Sequence, residues 1–202
     1  MGKLPYLSMG EWLDADIPLH FVGFGPNSLA FAGRHFDGVH LHTFITDNGL
    51  RRAKALVQEG AAAAGRDPDA VKVWSVIATA VTPTEEDHLR KFVGRMATYM
   101  QAPGYAEMLV ALNQWDAKVL EDFRASPLVQ SIAGAIDSVA TLEQLAAISK
   151  LIPEEWLPAA RGSAEECARA WQQQLQNGAD GVVIHGSTPT EFAPVVEAYR
   201  QL

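Results

Sequence analysis

The sequence predicts an α/β protein built on a parallel sheet: half of a (β/α) barrel, with a long helical insertion before its last strand. Three observations carry that reading. Short apolar runs alternate with helical patterns, which implies parallel strands covered by helices. The phrase "FDGVHLHT" (36–43) returns as "ADGVVIHG" (179–186), so Asp37-Gly38-Val39 aligns with Asp180-Gly181-Val182 and His42 with His185. Such repeated βα units are what a barrel is made from, yet only four strand-like runs are found where a closed barrel needs eight.

Taken in order, residues 1 to 16 read as an irregular lead-in, and "YLSMGEWLDADIP" resembles the tail of a loop rather than a domain start. "PLHFVGFG" (18–25) is an apolar run punctuated by glycines, a buried strand and its turn. "PNSLAFAGRHF" is helical, with Asn27 or Ser28 expected to cap it. "DGVHLH" is the second strand, with Gly38, like Gly181 in the other copy, expected at the turn that leads into it. The helical pattern Leu50, Ala53, Leu56, Val57, Gly60 then stops at Gly65. "VKVWSVIATAV" (71–81) is the longest β-branched run, a strand buried on both faces. From Thr84 to Ala160 the signal is helical throughout, broken at "APG" (102–104), "SP" (126–127) and "IPEEWLP" (152–158), with no strand expected. "GSAEECARAWQQQLQNG" (162–178) is a helix with a Ser163/Glu166 capping box and a stop at Gly178; "DGVVIHG" is the last strand and "TPTEFAPVVEAYRQL" the last helix.

Composition narrows the function classes. The chain has 202 residues, 48% hydrophobic and 20% charged, an ordinary globular balance. A net charge of −8 argues against a nucleic-acid or anionic-membrane partner. No apolar run approaches the roughly 18 residues of a membrane span, and "MGKLPYLSMGEW" lacks the apolar core of a signal peptide, so a cytoplasmic protein is expected. Cys167 is the single cysteine, which excludes an internal disulfide; its helical setting predicts a buried, inert thiol.

Strand alternation places Val39 and Leu41 on one face and His40 and His42 on the other; in the second copy Val182 and Ile184 pack on helices while Val183 and His185 point away. His42 and His185 then stand at C-terminal strand ends, where α/β enzymes gather their active sites. Histidine titrates near neutrality, so both are candidates for proton transfer, with hydrogen bonding among strand ends as the simpler alternative. Thr43 and Gly186 accompany them, and Ser187 or Thr188 is placed to cap the last helix. In "GFGPNS" (23–28), Gly23 and Gly25 let backbone approach a ligand and the following helix offers free N–H groups to an anion, although a tight turn with nothing bound explains the same residues. Trp74 is favoured as core over pocket wall. Arg90, Lys91, Arg95 and Arg161 are anion candidates, more simply read as a solvated face. No metal is expected, because His40, His42 and His185 have no carboxylate companion or H-x-x-x-H spacing.

The segments "PLHFVGFGPNSLAFAGRHFDGVHLHTF", "RRAKALVQEGAAAAGRDPDAVKVWSVIATAV" and "GSAEECARAWQQQLQNGADGVVIHGSTPTEFAPVVEAYR" closely resemble the C-terminal half of the luciferase-like monooxygenase superfamily, and within it the flavin- and coenzyme F420-dependent oxidoreductases. The resemblance implies a TIM-type (β/α)8 barrel in which "PLHFVGFG" is the fifth strand and "DGVVIHG" the eighth. It implies hydride transfer between F420 (alternatively FMN) and a small organic substrate. It carries Gly23, Phe24, Gly25, Pro26, Asn27 and Ser28 over as the turn against the cofactor's phosphate-bearing tail; His42, Thr43, His185 and Gly186, at the strand ends, are expected to contact cofactor or substrate. Strands one to four have no counterpart. Two expectations follow: an oxidoreductase that is assembled from half-barrels or is a piece of a longer enzyme, or a non-catalytic βα binding or structural protein. Either way the open edges predict self-association or union with a missing N-terminal half, unless the insertion covers the open face.

Overall fold

The computed structural model describes residues 17–202, so the lead-in read at residues 1 to 16 lies outside the described residues. In chain order the first half comprises β1 (His20–Val22), α1 (Pro26–His35), β2 (Gly38–His40), α2 (Asp47–Ala63) and β3 (Lys72–Val81). The insertion follows as α3 (Glu85–Asp87), a π-helical turn (His88–Gly94), α4 (Arg95–Gln101), α5 (Tyr105–Asn113), α6 (Ala117–Ala125), α7 (Pro127–Ser131), α8 (Ile136–Val139) and α9 (Leu142–Ile148). The chain closes with β4 (Ala160–Gly162), α10 (Ala164–Gln176), β5 (Gly181–His185) and α11 (Pro189–Tyr199).

Every strand pairing is parallel, as the alternation of strands and helices requires. β3 is the hub. Its start pairs with β2 (Val39↔Val73, His40↔Trp74), its middle with β5 (Trp74↔Gly181 through Ala78↔His185), and its last three residues with β4 (Thr79↔Ala160 through Val81↔Gly162). β1 lies beyond β2, so among the described residues β1 and β5 bound the sheet, and the three-residue β4, paired with the end of β3 alone, is a further, short edge.

β4 corrects the sequence reading, which carried the helical insertion to Ala160 without a strand. "ARG" has no apolar alternation of its own, and what makes it a strand is the exposed ladder at the end of β3. The cap of α1 is a second correction. Pro26 occupies the first helical turn and Gly25 is the N-cap, with no side-chain hydrogen bond, so neither Asn27 nor Ser28 caps it. β1 is a third correction, because the strand expected to be buried has Val22 exposed at the sheet's edge. At the helix ends the signals hold: Gly65 turns with φ 71° and Ser163 with Glu166 forms the capping box of α10, while the Thr46 cap of α2 adds to the sequence reading.

The repeated Asp-Gly-Val has a physical explanation. Asp37 accepts the backbone N–H of Leu19 at 2.8 Å and returns its own N–H to the Leu19 carbonyl at 2.9 Å. Asp180 does the same to Val73, at 2.9 and 2.7 Å, and its carboxylate also meets Lys54 at 2.6 Å. Each aspartate therefore closes the N-terminal end of the strand beside it. The glycines are not in the turn as expected but are the first strand residues, each lying under a ring. A Cβ on Gly38 would come within 2.8 Å of the His20 imidazole, and one on Gly181 within 2.4 Å of the Trp74 indole.

On the helix side of the sheet, Gly33 and Gly60 bring α1 and α2 into backbone contact; a Cβ at either would stand 2.1–2.2 Å from a carbonyl of the other helix. Ser75 bonds Gln174 at 2.7 Å, and the Trp171 indole N–H donates to Thr79 at 3.1 Å, so the buried polar groups of β3 are matched to α10. Cys167 is fully buried there, and burial pushes its thiol up to about 11, which makes it the inert core thiol expected. The insertion is not a separate lobe. Phe92, Met96, Met100, Leu109 and Phe123 form one continuous core with Val39, Phe44 and Leu50. It docks onto the strand ends, which positions the site.

Candidate functional site

His42 stands two residues beyond the last ladder residue of β2, and His185 is the last residue of β5. Both are at the C-terminal end of the sheet, as the alignment of the two repeats predicts, and they are close enough for their charges to interact. Burial, then the neighbouring charges of His185 and Arg95, holds the His42 imidazole down to about 4, against an opposing hydrogen bond at Thr43. His185 is lowered by burial and by Arg95, and its Nδ1 is buried with no hydrogen-bond partner. Both rings are therefore uncharged at neutral pH.

The insertion supplies what surrounds them. The His42 ring meets Tyr99 at 4.8 Å and Tyr105 at 5.1 Å edge-on, and Phe24 at 5.4 Å, while Tyr99 and Tyr105 lie 4.9 Å apart. Burial, with Tyr99 beside it, raises the Tyr105 phenol above its ordinary range, so it stays protonated. Arg95 leans over the Tyr99 ring at 6.0 Å and is held by Asp137 at 3.0 Å. Sequence reasoning missed the tyrosines, although "TYMQAPGY" places one on either side of a helix break at Ala102-Pro103-Gly104.

A clamp holds the loop that presents His42. Phe44, fully buried, is in the left-handed region with φ 63°, where a bulky residue is strained. Asn113, buried on α5, donates to the Phe44 carbonyl at 2.9 Å and accepts from the Thr46 N–H and hydroxyl at 2.9 and 3.0 Å. Thr43 is buried and 3.1 Å from His42 Nδ1, so it steadies the imidazole instead of facing the site as expected.

The glycine turn is half-covered. Phe24 is buried against His42 and Tyr105, and Gly25 lies under Met108, while Pro26 and Asn27 are exposed and Gly23 and Ser28 half-buried. The first turn of α1 carries no acidic residue. The equivalent end of α11 differs: Thr188 caps it, and Glu191 folds back onto the Thr188 N–H and meets Lys91 at 3.0 Å, its carboxyl held down to about 2 by those bonds. The positive end behind Gly186 is thus already filled by a carboxylate.

Of the other candidates, Arg95 alone faces the histidines. Arg90 pairs with Glu86, Lys91 with Asp87 and Glu191, and Arg161 with Glu154. Trp74 lies inside the sheet's open face, stacked on His40 at 5.6 Å, with His20 Nδ1 3.0 Å from His40 Nε2. No group of three or more metal-ligating side chains gathers among the described residues. A cavity of about 600 Å³ lies elsewhere, between the first turn of α2 (Asp47, Arg51), β3 and α10 (Gln173, Gln174), and the histidines do not line it. No helix among the described residues is long and apolar enough to cross a membrane.

A parallel sheet with helices packed on it defines the α/β fold class, in which ligand sites lie at the C-terminal ends of the strands. The chain belongs to the luciferase-like monooxygenase family, whose model matches residues 4–180. No curated protein matches it. Among solved structures it is similar to a coenzyme F420-dependent tetrahydromethanopterin reductase from Methanopyrus kandleri, with a TM-score of 0.62 and 17% identity over 89% of this chain and 48% of that one. It is also similar to an F420-dependent secondary alcohol dehydrogenase (0.55, 18% identity, 93% and 50%) and to the long-chain alkane monooxygenase LadA (0.50, 16%, 91% and 40%). The chain spans about half the length of the first two and less of the third.

Proposed function

We propose that β1, β2, β3 and β5 correspond to strands five to eight of a (β/α)8 barrel, and that the C-terminal strand ends hold a deazaflavin or flavin for hydride exchange with a small organic substrate. The observation that carries this reading is the uncharged His42–His185 pair gathered with Tyr99, Tyr105 and Arg95 at that end. F420 is favoured over FMN because the two higher-scoring of the three structures above are F420-dependent.

The residues present fit such a group. The aromatic wall of Phe24, Tyr99 and Tyr105 suits a flat ring system, and the unpartnered Nδ1 of His185 suits a ring heteroatom. The start of α1, open and free of acidic residues, suits the anionic tail better than the start of α11, where Glu191 would repel it. The cofactor, when bound, supplies the hydride donor or acceptor. His42 and Tyr105 contribute neutral hydrogen-bonding groups, and Arg95 contributes the positive charge.

Titration of the purified protein with F420 and with FMN, read by fluorescence, tests the reading. Submicromolar to micromolar binding of one of them is expected. Gly25→Val should weaken it at least about tenfold, one 1.4 kcal/mol step, with helical content unchanged, since the only close neighbour of a Cβ there is the flexible Met108, with the Ser28 hydroxyl at ordinary contact distance. Equal affinity in the variant removes the turn from the site, and no binding of either cofactor by the parent removes the cofactor assignment. The half-length span favours a second reading, a non-catalytic binding protein; cofactor binding without turnover would support it.

A further inference from the structure

The β1 and β5 edges of the sheet are unlike each other. At the β1 edge, Ile17, Leu19, Val22 and Phe31 are 57%, 61%, 71% and 46% exposed, four of the seven large apolar side chains exposed among the described residues. At the β5 edge there is instead an apolar groove of about 330 Å³, lined by Trp171, Leu175, Val182, Ile184 and Tyr199 together with Asp180 and Gly181. One edge carries knobs and the other a recess. The helices behind them differ as well: α1 has Arg34 and His35 and no acidic residue, whereas Glu191 and Glu197 of α11 are already paired with Lys91 and Arg200.

We propose that a second copy of this chain docks on these edges, the β1 edge of each copy meeting the β5 edge of the other. A two-fold axis along the strand direction keeps all strands parallel and closes the β1 and β5 edges at once, leaving only the three-residue β4 with an open side. Two copies supply eight strands to such a ring, β1, β2, β3 and β5 of each, with the short β4 outside the count. The open inner face, where His20, His40 and Trp74 are stacked, then faces its own counterpart in place of water.

This arrangement bears on the candidate site and rests there on the cofactor reading above. Within one copy the Gly23–Ser28 turn adjoins His42, two strands away from His185. In the pair, the partner's equivalent turn follows the strand next to β5, so it lies beside His185, and each of two sites is completed from both copies.

Light scattering and sedimentation at micromolar concentration test the assembly without reference to any cofactor. A particle of twice 21.9 kDa is expected. Val22→Lys combined with Leu19→Lys, both on exposed positions, should reduce it to a monomer that keeps its helical signal. Asn27→Cys/Thr190→Cys in one chain should give a covalent dimer with a short bismaleimide, because the first turns of α1 and of the partner's α11 become neighbours; each single variant should not. A parent that is monomeric throughout, or an open polymer that grows with concentration, overturns the closed pair. A dimer that binds neither F420 nor FMN leaves the pairing standing and removes only the cofactor reading.

Discussion

At the N-terminal end of the sheet, Asp37 and Asp180 each exchange two hydrogen bonds with the neighbouring strand, and the glycine after each accepts a ring. At the C-terminal end of the same strands, His185 keeps a buried nitrogen without a partner, His42 is held far from its ordinary titration range, and Phe44 is bent into a strained conformation. One repeat thus writes both ends: its aspartates are fully bonded where it begins, although the Trp74 indole nitrogen is buried and unpartnered there, and its second histidine stands unpaired where it stops. The difference separates residues that hold the sheet from those that the proposed function assigns to a ligand.

Substitutions at the two ends should therefore fail in opposite ways. The largest effect is expected from Gly181→Val, whose side chain would displace the Trp74 indole from its stack on His40; a loss of about 3 kcal/mol in denaturant unfolding is expected. A loss below half of that would mean that the ring moves freely into the open face.

Acid comes next. His42 has a folded-state value near 4 against 6.5 for an ordinary imidazole, so the unfolded chain takes up the proton first. Stability from this group is complete above pH 6.5 and is lost as pH falls toward 4. Between pH 7 and 5.5 the loss should be about 1 kcal/mol, visible as a lowered melting temperature. His42→Phe, which keeps the ring among Phe24, Tyr99 and Tyr105, should flatten that slope, and an unchanged slope would assign the acid sensitivity to another group.

The smallest stability change should come from the site itself. His185→Phe removes a buried nitrogen that bonds to nothing, so stability should stay within about 0.5 kcal/mol of the parent or rise. Cofactor affinity should fall in the same variant. A large destabilisation would show that His185 supports the fold as Asp180 does, and the contrast between the two ends would collapse.

The sequence carries the sheet well because its signals are local. Gly65, Ser163 with Glu166, and Gly178 each mark a helix end through their own backbone neighbours. The histidine ends were legible because strand alternation is a fixed geometry. Tyr99, Tyr105 and Asn113 were not, since their roles depend on how the insertion docks, a contact between segments some sixty residues apart that leaves no local periodicity. β4 was hidden for the same reason, being a strand only because β3 extends past β5 to receive it.

The Asn113 clamp makes the placement of His42 depend on a distant helix. A bulky residue in the left-handed region, as Phe44 is, costs about 1–3 kcal/mol that its surroundings must supply, and here Asn113 on α5 bonds the backbone on both sides of the bend. The histidine at the end of β2 is thus held in place from the insertion, and a change on α5 reaches it without touching the sheet.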